Sequence, residues 1–357
     1  MRPRTTIMNR REAGRWAVRA GLGGLMGSAL PGFALPSAAA PSAQTGQRLD
    51  IDGNKLMSGG APVRLLGVAV GDPLYVRKDR SLQDYQVIAK DWRANVVRIS
   101  LHPGQWRHDR EASLLGLTRD IAAARANGLW VILDWHAIGA PGGWYDKPGA
   151  DWGVPEDFYQ SDIELAAGFW SAMAVRFGGD PGIIFEIWNE PAVDPNVGQS
   201  TGKSWPVLKK TWDELIAVIR KHSDALVLAT GDRFAHDLKG VKADLIADSR
   251  TAYAWHSYPN EDKGKTNRWH VSLDGLPAVK PVVVTEWGFC TNCDSGLTGS
   301  PADFGKPFVT QVLDHYGLHS TAWCYSPGAA PAMLQQDGSM TVFGAFVKDH
   351  IANSVGH

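Results

Sequence analysis

Cysteine is scarce: three in 357 residues, Cys290, Cys293 and Cys324. Cys290-Thr-Asn-Cys293 has CxxC spacing, which suits a disulfide, half a metal site or a redox pair, and without a second CxxC a four-cysteine zinc centre is excluded. An excess of one charge is missing too. The 36 Lys and Arg face 37 Asp and Glu for a net charge of −1, so nothing points to nucleic acid or an anionic membrane as the partner. No G-x-G-x-x-G turn follows the first strand-like run, which weakens a doubly wound dinucleotide-binding sheet. Nor does that run supply a His-x-His pair for a metal-dependent barrel, since Leu66 to Val70 offers no ligand. No repeat, linker or low-complexity stretch interrupts residues 45–357, which therefore read as one domain.

Long apolar runs are absent as well, and the nearest approach lies in the first forty residues. Asn9-Arg10-Arg11-Glu12 precedes a mildly apolar Gly/Ala/Leu stretch, 20–35, and then Ser37-Ala38-Ala39-Ala40. That order of basic, apolar and small residues is that of an export signal, and the paired arginines resemble the twin-arginine type. Arg19 leaves too short an apolar run for a membrane anchor. The expectation is a leader over 1–40 and a mature protein that is periplasmic or extracellular, monomeric and free of the membrane. Export favours a small disulfide at Cys290–Cys293, with Cys324 as a competing partner for either thiol.

What the chain does have is aromatic bulk. Its 15 Trp and 44% hydrophobic content suit a large core, and the flat faces of Trp also suit sugar rings. Strand-like runs recur eight times: VRLLGVAV (63–70), NVVRISL (95–101), LWVILDWH (129–136), GIIFEIWNE (182–190), ALVLATGD (225–232), TAYAWHSY (251–258), PVVVTEWG (281–288) and STAWCYSP (320–327). Between them the apolar period changes to 3.6. Ile163, Ala166, Ala167, Trp170, Met173, Ala174 and Phe177 make one stripe, and residues 119–127, 212–222 and 308–316 look similar. The helix after the fifth run is short and weakly marked. Eight strands, mostly apolar on both faces and alternating with helices, predict a parallel sheet closed into a (β/α)8 barrel.

Polar residues collect at the C-terminal ends of these runs, where such a barrel carries its active face. The second run holds Arg98, and the third ends in Asp134 and His136. The fourth ends in Asn189 and Glu190, the sixth in His256 and Tyr258, the seventh in Glu286, and the eighth carries Trp323. Any one of these could be a satisfied core residue. A ring of them is hard to reconcile with packing, because buried polar groups are costly unless paired.

The set NVVRIS, LDWH, EIWNEP, WHSY, VVTEWG and TAWCYSP resembles glycoside hydrolase family 5, the cellulase-like retaining β-glycosidases, over residues 50 to 350. The resemblance implies that Glu190, the Glu of Asn-Glu-Pro, is the general acid/base and that Glu286 is the nucleophile. It places Asn189 on the sugar 2-hydroxyl, and Arg98, His136, His256, Tyr258 and Trp323 around the carboxylates and substrate. The chemistry agrees with that pairing, because retaining hydrolysis needs two facing carboxyl groups, one attacking and one protonating the leaving oxygen. Burial and the nearby charge of Glu286 would keep Glu190 protonated, whereas Arg98 and Tyr258 would hold Glu286 ionised.

Other polar residues read as support. Glu186 lies deeper on the face of Glu190 and suits a partner for Arg98, and Asp134 suits an orienting role. Trp135, Trp188, Trp255 and Trp287 are expected in packing. Trp144, Trp152 and Trp205 are the candidate subsite aromatics, with Trp106, Tyr145 and Trp269 as further loop aromatics that could stack on sugar. No cofactor and no metal are called for. The implied partner is a β-linked glucan or related β-glycan, cellulose-like β-1,4-glucan first. Mannan, mixed-linkage or β-1,3-glucan and exo-action on oligosaccharides are alternatives, and a metal-dependent barrel hydrolase using His136, Asp134 and His256 is a remote one.

Overall fold

The computed structural model describes residues 46–354 other than 79, 142–152, 194–203, 260–266 and 294–295. The leader read from the sequence therefore lies outside the described residues. The described chain opens with a feature absent from the expectation, a three-stranded antiparallel sheet of β1 (Leu49–Asp52), β2 (Lys55–Ser58) and β3 (Ala61–Val63). Gly59 and Gly60 join β2 to β3 with both φ angles positive, at 59° and 81°, as a tight two-residue hairpin requires. Leu49 and Leu56 of this sheet join Leu65, Val96, Trp130, Ile132, Leu226 and Val283 in one buried cluster. The small sheet thus seals the barrel at the end where its strands begin.

Eight parallel strands then close on themselves, as expected for a (β/α)8 barrel. They are β4 (Leu66–Gly71), β5 (Val96–Leu101), β6 (Trp130–Trp135), β7 (Ile183–Glu186), β8 (Leu226–Thr230), β9 (Thr251–Ser257), β10 (Val282–Trp287) and β11 (His319–Ala322). Helices α1 (Leu82–Lys90), α2 (Pro103–His108), α3 (Arg110–Ala126), α4 (Ile163–Phe177), α5 (Trp205–Arg220), α6 (Asn267–Leu273), α7 (Lys306–Phe308) and α8 (Val342–Ser354) complete the chain. α7 is a short α turn between π-wound segments Pro301–Gly305 and Val309–Asp314. Inward residues such as Trp130, Ile132 and Ile184 fill the barrel, while Val131, Leu133, Trp135 and Phe185 face helices, the alternation that a pleated strand imposes.

The structure corrects several boundaries. The fourth strand-like run extends to Glu190, but β7 stops at Glu186. Ile187 still donates to Leu228 O, whereas the Asn189 amide turns to Trp135 O and the Glu190 amide to Ala137 O. The chain leaves its ladder with β8 and leans over the exit of β6. β11 likewise ends before Trp323, and the Trp323–Cys324 peptide is cis. The weak helix expected after the fifth run does not form. Residues 231–250 run as turns, including one left-handed turn at Arg233, Phe234 and Ala235 with φ of 55°, 57° and 64°. That turn anchors both sides of the barrel mouth, since Phe234 N donates to Pro191 O and His256 N donates to Ala235 O.

One irregularity decides what the seventh barrel strand presents. Val282 and Val284 pack toward the helices and Val283 toward the barrel interior. Strict alternation would send Glu286 outward. The register with β9 shifts between Val284 and Glu286, which pairs opposite His256, and the Glu286 carboxylate faces the interior instead. Bulges re-aim side chains in this way beside functional sites. Cys290 and Cys293 form no disulfide, contrary to the expectation, and Cys324 is buried against Ala69, Tyr258 and Trp323.

Candidate active site

Arg98 is wholly buried in β5, and its guanidinium organises the barrel mouth. Nε donates to Glu186 Oε2 at 2.5 Å, Nη1 to Glu286 Oε1 at 2.7 Å and Nη2 to Asn189 Oδ1 at 2.7 Å. Asp134 Oδ2 lies 3.1 Å from Nη2. A planar fork with several donors can serve such a ring of acceptors where an ammonium cannot. Three acids around one cation still leave burial uncompensated. Burial pushes Asp134 up to about 6 and Glu186 up to about 7, against the pull of Arg98.

Two carboxylates face each other above this layer. Glu190 stands on the loop after β7, its amide and carbonyl tied to Ala137 O and Gly139 N. Its Oε1 lies 3.2 Å from His256 Nδ1, and the other ring nitrogen of His256 meets Thr285 Oγ1 at 3.1 Å. Burial holds His256 well below the usual imidazole range, so the ring is neutral, with one of these nitrogens donating and the other accepting. Tyr258 donates to Glu286 Oε2 at 2.7 Å. One carboxylate oxygen from Glu190, one from Glu286 and a nitrogen of His256 all lie within 4.8 Å of one another.

The surroundings of the two glutamates differ. Burial raises both, but Glu190 goes well above the carboxylate range because it also faces the charge of Glu286. At Glu286 the guanidinium of Arg98 and the hydroxyl of Tyr258 oppose burial. A single proton on the pair therefore sits on Glu190, with the charge on Glu286.

Trp323 forms one wall. Its ring is parallel to that of His136 at 5.2 Å and 7°, and His136 Nδ1 meets Asp134 Oδ2 at 2.7 Å. His136, Asn189, Glu190, Tyr258, Glu286 and Trp323 line a cleft of about 750 Å3, while Arg98 and His256 sit fully buried beneath those side chains. All eight residues singled out in the sequence thus converge on one place. Glu186 and Asp134 are partners of the Arg98 layer, in keeping with supporting positions. Glu190, His256 and Glu286 are also the one group among the described residues spaced to hold a metal. Arg98 and Tyr258 already occupy the Glu286 oxygens, and the guanidinium would repel a cation there, so the trio fits a proton better than a metal.

The aromatic expectations fare differently. Trp205 is no subsite residue: it begins α5 and is 3% exposed. Its Nε1 donates to Asp244 O, and its ring packs on Tyr253. The stretch read as loop is the first turn of a helix whose indole anchors it to the core. Trp106 in α2 packs on Phe169, and Trp269 in α6 packs on Phe304 and Phe308, so neither reaches the cleft. Trp144, Tyr145 and Trp152 lie outside the described residues. Trp135, Trp188, Trp255 and Trp287 are buried packing residues.

Sequence reading missed other cleft residues, namely His102, Tyr75, Tyr159 and Leu297. His102 follows the second strand by one position, and its place at a strand end was the available signal. Tyr75, Tyr159 and Leu297 are on loops, where no periodicity marks the side that faces inward.

A sequence model of the cellulase family, glycosyl hydrolase family 5, matches residues 56–329. Endoglucanase A of Butyrivibrio fibrisolvens is 25% identical over 302 residues, covering 81% of this chain and 63% of that protein. Endoglucanase E-5 of Thermobifida fusca is 25% identical over 299 residues, 78% of this chain and 56% of its own length. The chain spans less than two-thirds of these relatives. A β-glucanase of Saccharophagus degradans, solved with cellotetraose, superposes with a TM-score of 0.76 at 24% identity over 90% of this chain and 98% of that one, a likeness of fold.

Proposed function

We propose, from the premise that the chain belongs to glycosyl hydrolase family 5, that it hydrolyses a β-1,4-linked glucan with retention of anomeric configuration. The observation that carries this reading is the facing pair Glu190 and Glu286, with oxygens within 4.8 Å and unequal surroundings. Retaining enzymes hold their carboxyl groups about 5 to 5.5 Å apart, whereas inverting enzymes leave about 6.5 to 9.5 Å for a water between them.

In this mechanism Glu286 attacks the anomeric carbon as Glu190 protonates the departing glycosidic oxygen. The C–O bond breaks, and the sugar becomes an ester of Glu286. Neutralising Glu286 removes part of what kept Glu190 protonated, so Glu190, now a carboxylate, takes a proton from water. That water cleaves the ester, releases the sugar and restores both groups. Arg98 and Tyr258 keep Glu286 ionised and aimed, and neutral His256 steadies Glu190. Asn189, held by Arg98, is turned toward a sugar hydroxyl, and Trp323 supports the ring and excludes water.

Cellulose-like β-1,4-glucan is the proposed substrate because the matched relatives are endoglucanases. The leader-like first forty residues favour action after export, in the periplasm or outside the cell. The test is a Glu286→Ala protein assayed on β-1,4-glucan, mixed-linkage glucan, β-mannan and cello-oligosaccharides, with product anomers followed by NMR. Folded protein with undiminished hydrolysis, or inverted products from the wild type, would overturn the reading.

A further inference from the structure

Beside the two carboxylates the cleft contains a second built arrangement that the mechanism above does not use. His102 follows β5 and lies on the cleft wall. Asp72, at the exit of β4, is wholly buried and holds this residue by both its amide and its ring. Asp72 Oδ2 accepts from the His102 amide at 3.0 Å and meets His102 Nδ1 at 2.7 Å, while Oδ1 accepts from Leu74 N at 2.7 Å. His102 also precedes α2 as its N-cap, yet its side chain makes no capping bond. Tying the two strand exits together needs only the backbone contact; the bond to the ring does something more.

What it does is fix the imidazole. With Nδ1–H committed to a carboxylate, the neutral ring carries its lone pair on Nε2. The ring is wedged by His136 at 4.7 Å, Phe158 at 4.3 Å, Tyr159 at 5.0 Å and Tyr75 at 5.5 Å. An oriented acceptor in an aromatic collar, next to the ring that stacks on Trp323, is a place to read one hydroxyl.

Resting on the hydrolase reading, we propose that His102 contacts substrate by accepting a hydrogen bond from one hydroxyl of the sugar held beside His136, with Asp72 as its positioning residue. The ligand class is a β-linked sugar carrying a free hydroxyl at that position. A glycan lacking or masking it leaves a buried acceptor unpaired, which makes His102 a determinant of which β-glycan is taken. The low pKa of Asp72, where the bonds from His102 outweigh burial, is consistent with a permanently charged orienter.

The experiment uses aryl glycosides of the β-glycan that the wild type hydrolyses fastest, each lacking one hydroxyl. Wild type should lose about ten- to a hundredfold in kcat/KM on one analogue beyond the general effect of deoxygenation. His102→Ala should lose the same factor on the parent substrate and nothing further on that analogue, while responding normally to the others. His102→Gln, which keeps an acceptor, should recover part of the parent activity, and Asp72→Ala should raise KM more than it lowers kcat. If His102→Ala and His102→Gln, both folded by circular dichroism, respond to every analogue as wild type does, the ring is packing and the proposal falls. A Glu286→Ala protein with full activity would instead sink the underlying reading, whatever His102 does.

Discussion

The Tyr258 hydroxyl donates to Glu286 Oε2 at 2.7 Å, on the oxygen opposite the one that Arg98 holds. A bond to the charged form favours that form, so Tyr258→Phe should raise the pKa of Glu286. The proposed mechanism needs Glu286 ionised, and the acidic limb of the kcat/KM–pH profile should therefore move to higher pH in the variant. The basic limb, assigned in that mechanism to protonated Glu190, should stay nearly in place. Profiles of the two proteins on one substrate check the sign.

Glu190→Ala removes the proposed proton donor and leaves the proposed nucleophile. Hydrolysis of unactivated β-glucan should fall by about 10²- to 10⁴-fold, the usual worth of general acid–base help. Aryl glycosides whose leaving group needs no proton should form the glycosyl-enzyme far more readily than they release it. A burst of aryl alcohol followed by a slow steady state is the expected trace.

Among the described residues, Arg98 is the arginine that pairs with Asp134, Glu186 and Glu286 at once. Arg98→Met leaves those acids buried and unpaired, and stability should drop by about 3–5 kcal/mol. Urea unfolding at neutral pH measures the loss. The same variant should be inactive at temperatures where it remains folded.

Glu186 connects stability to pH. Burial raises it to about 7 in the folded state from its ordinary value of 4.5, so the folded chain binds its proton more tightly than the unfolded chain. Stability linked to this group is present in full below about 4.5 and declines as pH rises toward 7. Glu186→Gln cannot titrate. Its melting temperature relative to wild type should rise steadily between those limits, and a constant difference would contradict the assignment.

Trp205→Ala separates packing from binding. A buried indole that packs on Tyr253 and bonds Asp244 O should cost about 3–5 kcal/mol when truncated. KM for soluble oligosaccharides, measured below the melting transition, should be unchanged. A raised KM with wild-type stability would return Trp205 to the cleft.

The barrel was legible because its staves are continuous apolar runs, and the eight site residues were legible because they punctuate those runs at one end. Local detail was less so. The β1–β3 sheet carries short, half-exposed strands with too few residues for a period to declare itself. Trp205 looked like a loop aromatic because a Ser-Trp-Pro helix start resembles a turn until the helix is seen to follow. His102 and Asp72 come together only through the closure of β4 onto β5, a long-range fact that no spacing along the chain records.

The shift of register in β10 has a consequence for how this cleft could have arisen or could be lost. The sheet's periodicity alone would point Glu286 at the helices, and a one-residue slip turns it over the opening. A homogeneous β10 would build the same barrel with the same composition and an acid hidden in its wall. The chemistry at the mouth thus hangs on a misalignment between two neighbouring strands, a geometric defect retained as a working part.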